Sequence, residues 1–266
     1  MSDILTQLAD YAKVRVEEAK KKISLAEMET AAIAKGKETG HPFKAAIASE
    51  GMSFICECKK ASPSKGLIAK EFPYLQIAKE YEEAGASAVS VLSEPKWFLG
   101  SLDYLKEISQ TIRIPVLRKD FTVDEYMIYE AKAAGASAIL LIVSLLSETQ
   151  LKDYLSLCEA LGMDALVEAH DEPEVHTAVS CGAEIIGVNN RNLRDFTVEL
   201  NTSIRLRNLV PDPILFVAES GIRTRSDVAR LEEGRMNGVL IGEQLMRADN
   251  KKQMLAELKG IKGVLQ

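Results

Sequence analysis

Charged and amide side chains stand at the ends of five apolar runs in this sequence, where they could perform acid–base chemistry. The residues at these run ends are Glu57, Lys59, Lys119, Glu168, Asn189, Glu219 and Ser220. Lysines and carboxylates that lie close together shift one another's pKa values, as general acid–base catalysis requires. We therefore predict that these side chains share an active site, provided that the fold brings the five run ends together.

The first apolar run carries a lysine and a carboxylate in strand spacing. Glu57 and Lys59 are two residues apart, so their side chains would point to the same face of a strand. Cys56 and Cys58 would point to the other face and pack under helices as small hydrophobic residues. We expect the charged face to line the interior near an opening. The pair alone does not decide between catalysis and a buried structural ion pair.

Two kinds of segment could bind a phosphate group. The loop from Ser62 to Gly66 offers hydroxyl groups, backbone N–H groups and a lysine, all suited to an anion. Gly221 follows the seventh apolar run, and Gly242 with Glu243 follows the eighth, which are positions where many barrels bind phosphate. Simple turn geometry would also explain both glycines. We predict a phosphorylated small molecule as the ligand.

Glu168 and His170 are a pair with possible metal-ligand spacing, since both could face inward from one strand. No third ligand stands at a spacing typical of a metal site, and the next run supplies amides and Arg191 instead. We therefore predict no metal site.

An aromatic pair, Trp97 and Phe98, follows the second apolar run. The tryptophan, of which the chain has one, either packs within its loop or contacts the ring of a ligand. The sequence leaves both roles open.

A repeat organises the chain and supplies the elements that could bring these residues together. In each copy, a glycine ends a helical pattern and a run of aliphatic residues follows. The copies are EAGASAVSVL (83–92), KAAGASAILLI (132–142), SCGAEIIGVN (180–189) and EEGRMNGVLIG (232–242). Glycine suits the left-handed position after a helix, and an aliphatic run is typical of a strand buried on both faces. The glycines are Gly85, Gly135, Gly182 and Gly234.

Four further apolar runs alternate with the copies, so eight strands are predicted. These runs are Phe54–Lys59, Val116–Phe121, Ala165–His170 and Ile214–Ser220. Helices are predicted over Tyr74–Ala84, Asp124–Ala134, Glu148–Leu161, Pro173–Ser180 and Arg225–Glu233. Eight alternating β and α units predict an α/β fold, a (β/α)8 TIM barrel. Because the strands of such a barrel end at one mouth, the polar run ends would converge there. A Rossmann sheet is disfavoured, because no GxGxxG motif follows the first strand.

The residues before the first strand show a helical pattern with an apolar stripe that includes Leu5 and Leu8. We predict a helical extension over residues 1–45 that packs on one end of the barrel. A catalytic barrel over residues 46–266 would complete what is a single domain overall.

The composition disfavours several classes of protein. The 266 residues include 33 Lys and Arg against 39 Asp and Glu, and this charge of −6 disfavours broad nucleic-acid binding. The N-terminal segment lacks the apolar core of a signal peptide, and the longest apolar stretch, Ala136–Leu146, is too short to span a bilayer. We therefore expect a cytoplasmic protein with no membrane or nucleic-acid partner, present as a monomer or weak oligomer.

Several long motifs, in order along almost the whole chain, resemble those of the indole-3-glycerol phosphate synthase family. They are ECKKASPSKG (57–66), SEPKWFLGS (93–101), LRKDF (117–121), LVEAHDE (166–172), GVNNRNL (187–193), AESGI (218–222) and LIGEQLMR (240–247). The resemblance implies a lyase of tryptophan biosynthesis that uses no metal or organic cofactor. It also implies the substrate, 1-(2-carboxyphenylamino)-1-deoxyribulose 5-phosphate, which would close a ring and lose carbon dioxide and water to give indole-3-glycerol phosphate.

The family pattern implies a catalytic role for five matching positions. Lys119 would be the general acid that protonates the ribulose carbonyl oxygen. Lys59 would hold the anthranilate carboxylate and help the hydroxyl leave, while Glu57 would be the base in the dehydration. Glu168 and Asn189 would orient Lys119 and the substrate hydroxyls. Which group performs the final dehydration stays open.

The remaining matching positions would complete the substrate site. Glu219 and Ser220 would extend the polar wall, and Arg191 would tune the nearby carboxylates. The other implied contacts are Phe98 and Phe121 on the aryl ring, and Ser62, Gly221 and Gly242 on the phosphate.

Two positions depart from the family pattern. Ala61 stands where some relatives have a second lysine, so Lys65 becomes the candidate for a cation near the phosphate. Glu243 stands where many relatives have a small hydroxyl residue. A carboxylate repels phosphate, so Glu243 would contribute its backbone N–H and turn its side chain away.

Two alternatives to this function remain. Phosphoribosylanthranilate isomerase and the tryptophan synthase α subunit are also phosphate-binding barrels, but they would need a different acid–base set that does not explain Lys59 with Lys119. A pseudoenzyme, which would bind a phosphorylated ligand without catalysis, is the non-catalytic alternative. The intact set of polar strand ends disfavours it.

Overall fold

A closed barrel of parallel strands forms the centre of the molecule. The computed structural model describes residues 4–36, 40–192 and 196–261. Its barrel strands are β1 (Ser53–Cys58), β2 (Ala88–Leu92), β3 (Val116–Lys119), β4 (Ala138–Ile142), β5 (Asp164–Ala169), β6 (Ile185–Asn189), β7 (Leu215–Glu219) and β8 (Gly238–Ile241). Each strand pairs with its neighbours along the chain, and β8 pairs with β1 to close the barrel. The predicted α/β fold, a (β/α)8 TIM barrel, is confirmed.

Helices surround the barrel and connect its strands. They are α1 (Ile4–Lys22), α2 (Leu25–Ala34), α3 (Pro42–Ile47), α4 (Tyr74–Glu83), α5 (Leu102–Thr111), α6 (Glu125–Ala134), α7 (Glu148–Leu161), α8 (Glu172–Ser180), α9 (Asn201–Arg207), α10 (Arg225–Glu233), α11 (Glu243–Arg247) and α12 (Lys251–Lys259). The predicted bounds of α7 and α10 are confirmed, and capping boxes at Ser147 and Thr224 define where these helices begin. The predicted bounds of α4, α6 and α8 each differ by one residue at one end. Within the described ranges, no helix has the length and apolar character needed to cross a membrane.

Alternation along the strands separates an inner layer from an outer one. On β1, Ile55 packs inside the barrel, whereas Cys56 and Cys58 pack in the layer between barrel and helices, as predicted. Burial raises the pKa of the Cys56 thiol to about 12, so it remains protonated. The four strands predicted between the repeat copies run one or two residues too far at their carboxyl ends, because the sequence pattern does not show where inter-strand hydrogen bonding stops.

The repeated glycines end their helices in two different ways. Gly85, Gly135 and Gly182 have the predicted left-handed conformation, with φ of 78°, 92° and 91°. The expectation is wrong at Gly234, which has a φ of −75°. There the left-handed residue is Arg235, with a φ of 61°, so the turn is displaced by one position.

The N-terminal helices contact both ends of the barrel, rather than the one end that we expected. Arg15 on α1 reaches Asp120, just beyond the carboxyl end of β3. At the opposite end, the backbone N–H of Lys44 on α3 donates to Asp164 at the start of β5. The helix α3 crosses the predicted division between residues 45 and 46, and that division stays a prediction.

Candidate active site at the barrel mouth

A cavity of about 430 Å³ opens at the carboxyl ends of the strands. All the positions predicted from the sequence as site residues line it. They are Glu57, Lys59, Ser62, Phe98, Lys119, Phe121, Glu168, Asn189, Arg191, Glu219, Ser220, Gly221, Gly242 and Glu243. The barrel therefore brings residues from strands that are far apart in the chain to one space of a size suited to a small molecule.

Lys119 occupies the centre of the polar wall. Its Nζ lies 3.0 Å from Glu168 Oε2 and 3.2 Å from Glu219 Oε2, and its side chain is 14% exposed. Burial favours the neutral amine, but the negative charges of Glu168 and Glu219 outweigh it and raise the pKa of Lys119. The lysine is therefore an ammonium that can donate a proton into the cavity.

The pKa values of the two carboxyl groups beside Lys119 are shifted in opposite directions. Burial raises the pKa of Glu219 to about 7, with Lys119 opposing the shift and Glu168 adding to it. Burial acts in the same sense on Glu168, but Lys119 and then His170 outweigh it and lower the pKa of Glu168. A pair of carboxyl groups with separated pKa values can hold one charge and exchange one proton near neutral pH.

Glu57 and Lys59 form an ion pair on the neighbouring side of the cavity. Glycines leave room for the buried carboxylates here. A Cβ at Gly242 would overlap Glu57 Oε1, and a Cβ at Gly187 would overlap Glu219 Oε1. Gly242 therefore has a packing function that the sequence did not reveal, and Gly187 is a site glycine that it missed.

Two aromatic rings form a further part of the cavity lining, here called the aromatic wall. The rings of Phe98 and Phe121 both line the cavity, with centroids 5.9 Å apart. Phe98 is held by Glu94, a fully buried carboxylate that accepts the backbone N–H groups of Lys96, Trp97 and Phe98 at 2.9, 2.7 and 2.9 Å. Sequence reasoning missed Glu94, although an acidic residue just before three exposed loop N–H groups is a capping pattern.

Trp97 packs away from the cavity. Its ring meets the ring of Tyr11 on α1 edge-to-face at 5.5 Å, and the ammonium of Lys96 lies 4.3 Å from its centroid. Of the two roles left open by the sequence, the structure shows loop packing.

Cations gather at the rim beside the glycine loops. Lys65 Nζ lies 3.7 Å from Glu243 Oε1, and Arg247 donates to the same oxygen at 3.1 Å. The Glu243 carboxylate thus lies between two cations. Arg223 also lines the cavity. Sequence reasoning did not single out the two arginines, although Arg223 directly follows the AESGI motif and Arg247 lies one helical turn after Glu243.

Amides link strand β6 to the polar wall. Asn189 Nδ2 donates to Glu168 Oε1 at 3.4 Å, while its Oδ1 accepts the backbone N–H of Arg191 at 3.0 Å. The guanidinium of Arg191 donates to the carbonyl oxygen of Phe196 at 3.4 Å. Asn189 is therefore placed to orient Glu168, and through it Lys119.

A second charged cluster centres on Asp120, which also borders the cavity. Asp120, 1% exposed, accepts two hydrogen bonds from the guanidinium of Arg15, at 2.6 and 3.0 Å. It also accepts the Ser93 hydroxyl at 2.7 Å, the backbone N–H of Phe121 at 2.8 Å and Arg118 at 3.4 Å. Burial disfavours the charged carboxylate, yet Arg15 and Arg118 lower the pKa of Asp120. This carboxylate is saturated with donors.

No three His, Cys, Asp or Glu side chains of residues 4–36, 40–192 and 196–261 converge as metal ligands. Glu168 and His170, the pair with possible ligand spacing, do meet, with Nε2 of the histidine 3.3 Å from Glu168 Oε1. They form an ion pair in which Glu168 lines the cavity and His170 does not.

Comparison with known proteins gives a consistent result. A family model described as indole-3-glycerol phosphate synthase matches residues 5–258. An indole-3-glycerol phosphate synthase of Ruminiclostridium cellulolyticum is 51% identical over 257 residues, covering 97% of this chain and 99% of that protein. An indole-3-glycerol phosphate synthase of Endomicrobium trichonymphae is 51% identical over 256 residues, covering 96% of this chain and 99% of that protein.

A solved structure with a similar fold is 3-hexulose-6-phosphate synthase from Salmonella typhimurium. Its TM-score is 0.65 at 12% identity, and the match covers 79% of this chain and 97% of that one. At this identity the likeness shows the barrel fold alone.

Proposed function

This chain belongs to the indole-3-glycerol phosphate synthase family, and we propose that Lys119 is the general acid of the family's ring-closing reaction. The chain is thus a carbon–carbon lyase of tryptophan biosynthesis. One observation supports the role of Lys119 above all others. Its ammonium lies between Glu168 and Glu219 in a cavity that also offers an aromatic wall and a cationic rim.

Ring closure is the step that needs the acid. The substrate is 1-(2-carboxyphenylamino)-1-deoxyribulose 5-phosphate. Its ring carbon that bears the carboxylate attacks the ribulose carbonyl carbon, and a carbon–carbon bond forms. Lys119 gives a proton to the carbonyl oxygen, which becomes a hydroxyl group. Aromaticity is lost for a time, so the carbonyl must be strongly polarised by a positioned donor.

Decarboxylation and dehydration follow at the neighbouring pair. Lys59 holds the carboxylate until carbon dioxide leaves, and the electrons of the broken bond restore the aromatic ring. The hydroxyl group then departs as water with help from Lys59, while Glu57 removes a proton from the adjacent methylene carbon. The contact between Glu57 and Lys59 supports this division of work, because it places the base directly beside the lysine in the cavity.

The two walls of the cavity fix the substrate between them. Phe98 and Phe121 flank the aryl ring, whereas Ser62 and the backbone of Gly221 and Gly242 hold the phosphate. Glu168, Asn189, Glu219, Ser220 and Arg191 line the polar wall between these ends, and Glu243 contributes its backbone N–H. Lys65 and Arg247 pair with the Glu243 carboxylate and so reduce its repulsion of phosphate.

A pseudoenzyme that binds a phosphorylated ligand has no support from these comparisons. A non-catalytic barrel would need neither an ammonium between two buried carboxylates nor the paired Glu57 and Lys59. We also propose that the protein is a monomer or weak oligomer without nucleic-acid partners, which size-exclusion chromatography and a filter-binding assay would test.

The function is tested by incubating the purified protein with 1-(2-carboxyphenylamino)-1-deoxyribulose 5-phosphate. Indole fluorescence should appear together with one equivalent of carbon dioxide, and an added metal chelator should leave the rate unchanged. A protein that binds the substrate without releasing carbon dioxide would support the pseudoenzyme instead.

A further inference from the structure

His170 lies behind the cavity wall, one residue after the end of β5, and it does not line the cavity. Its Nε2 is 3.3 Å from Glu168 Oε1, and its Nδ1 is 2.9 Å from Glu174 Oε2 on α8. The backbone N–H of His170 donates to the same oxygen of Glu174 at 2.9 Å. The imidazole ring is therefore held between two carboxylates, one of which contacts Lys119.

We propose that His170 is a positioning residue for the reaction, an imidazolium held by Glu174 that keeps Glu168 ionised and oriented toward Lys119. The inference rests on the proposed function, because it concerns how the general acid is held. His170 touches neither the substrate space nor Lys119, so its effect passes through Glu168.

The geometry favours a charged ring. A neutral imidazole has one N–H and one lone pair, so one of its nitrogens would direct its lone pair at a carboxylate oxygen. Both nitrogens of His170 face carboxylate oxygens. The contact to Glu168 is an ion pair without hydrogen-bond alignment. Burial opposes the charge on His170, but Glu168 and Glu174 outweigh it and raise the pKa of His170 to about 10.

The surroundings of Glu168 show what this charge does. Oε1 of Glu168 meets His170 and the amide of Asn189, while Oε2 meets Lys119. Around the pair of His170 and Glu168 on β5, the charged groups are Glu174 on α8, Lys119 on β3 and, beyond Lys119, Glu219 on β7. The cation at His170 makes Glu168, and not Glu219, the carboxyl group that stays ionised beside Lys119.

The test compares His170→Gln and Glu174→Gln with the wild-type protein. His176→Gln is the matched control, since this histidine is exposed and lies on α8, the helix that carries Glu174. For His170→Gln we expect kcat to fall about tenfold or more, with KM nearly unchanged, because the acid is misplaced. The acidic limb of the pH profile should also move to higher pH. Glu174→Gln should show a smaller change in the same direction, and His176→Gln should show none.

A second measurement does not depend on turnover. In histidine-labelled wild-type protein, an NMR titration should show His170 still protonated at pH 8, where His176 serves as an exposed reference ring. A neutral His170 at pH 8 would overturn the inference. So would a His170→Gln variant that loses stability and activity but keeps the wild-type pH profile, because that result indicates a structural role. If the wild-type protein forms no product, the proposed function fails, and the titration still decides whether His170 is charged.

Discussion

Two buried charge clusters lie one residue apart at the end of β3, and they differ in how fully their carboxylates are paired. Both oxygens of Asp120 accept hydrogen bonds, and donors from α1, β3 and the loop after β2 surround them. In the cluster around Lys119, Glu219 Oε1 is buried without a hydrogen bond from the described residues, and Glu57 Oε1 has an ion pair with Lys59 but no hydrogen bond from them. Strand alternation points the Lys119 side chain toward Glu168 and Glu219, whereas the Asp120 side chain points toward Arg15 on α1.

The two clusters also differ in the pKa values of their buried carboxyl groups. Asp120 and Glu219 are both buried carboxylates, yet Asp120 has a lowered pKa and Glu219 has a pKa raised to about 7. Two arginines oppose the cost of burial at Asp120, whereas Glu219 shares one lysine with a second carboxylate. A saturated cluster stabilises the fold, and an incompletely paired one keeps protons available for chemistry.

The largest effect that separates the clusters should come from Lys119→Ala. We expect kcat to fall by about 10²- to 10⁴-fold, because the carbonyl oxygen loses its proton donor. Steady-state product fluorescence measures this loss. Lys106→Ala on the neighbouring helix α5, which is exposed, should keep wild-type activity. Wild-type turnover in Lys119→Ala would remove the lysine from the mechanism.

Asp120→Asn should act on stability. The free energy of unfolding should fall by about 3–5 kcal/mol, because Arg15 loses its carboxylate partner and Arg118 keeps only Glu130. Urea denaturation measures this change, with the exposed Asp103→Asn as the control. A loss below about 1 kcal/mol, the size of a surface pair, would show that the cluster is not a structural element.

Gly187→Ala tests whether the room left by a missing side chain at Gly187 allows Glu219 to take its position. The added Cβ would overlap Glu219 Oε1, so the carboxylate must move and kcat should fall about 10- to 100-fold. In Gly238→Ala, at the opposite end of the barrel, the new Cβ would lie 3.3 Å from the Ser53 carbonyl oxygen and far from the site. Equal kinetic effects of the two variants would contradict a specific role for Gly187.

Glu219→Gln should change how stability depends on pH. Since the pKa of Glu219 is raised on folding, its carboxyl group favours the folded state at low pH, and this contribution is lost as pH rises from about 4.5 to about 7. Glutamine does not ionise, so the variant does not lose stability in this way. Between these two pH values, its free energy of unfolding should rise relative to that of wild type by roughly 1–3 kcal/mol. Thermal unfolding at pH 5 and pH 8 measures the difference. A stability advantage of the variant over wild type that decreases as pH rises would contradict a raised pKa of Glu219.

The smallest effect is expected at the rim, outside both clusters. Lys65→Ala should raise KM about two- to fivefold and leave kcat nearly unchanged, as for a partly exposed charge near an anion. Initial rates at varied substrate concentration measure both constants, and Lys70→Ala in the same exposed loop is the control. An unchanged KM would exclude Lys65 from the phosphate end.

That Glu57, Lys119 and Glu168 lie together could be predicted from the sequence, whereas the cluster around Asp120 could not. Strand periodicity and the barrel rule bring Glu57, Lys119 and Glu168 to one mouth, because each step depends on residues close in sequence. Arg15 and Asp120 are separated by 105 positions, and no local pattern marks them as partners. The conformations of Gly234 and Arg235 were missed for a related reason, since the residue that takes the left-handed turn depends on tertiary contacts.

The contrast between the clusters is tested most directly by measuring two quantities on the same preparations of Lys119→Ala and Asp120→Asn. These are the single-turnover rate of indole formation and the free energy of unfolding in urea. The two variants should differ in the rate per folded molecule: Lys119→Ala loses nearly all of it, whereas Asp120→Asn loses stability while its folded fraction turns over substrate. If each variant loses rate and stability in the same proportion, the two clusters form one unit and the assignment of separate roles is wrong.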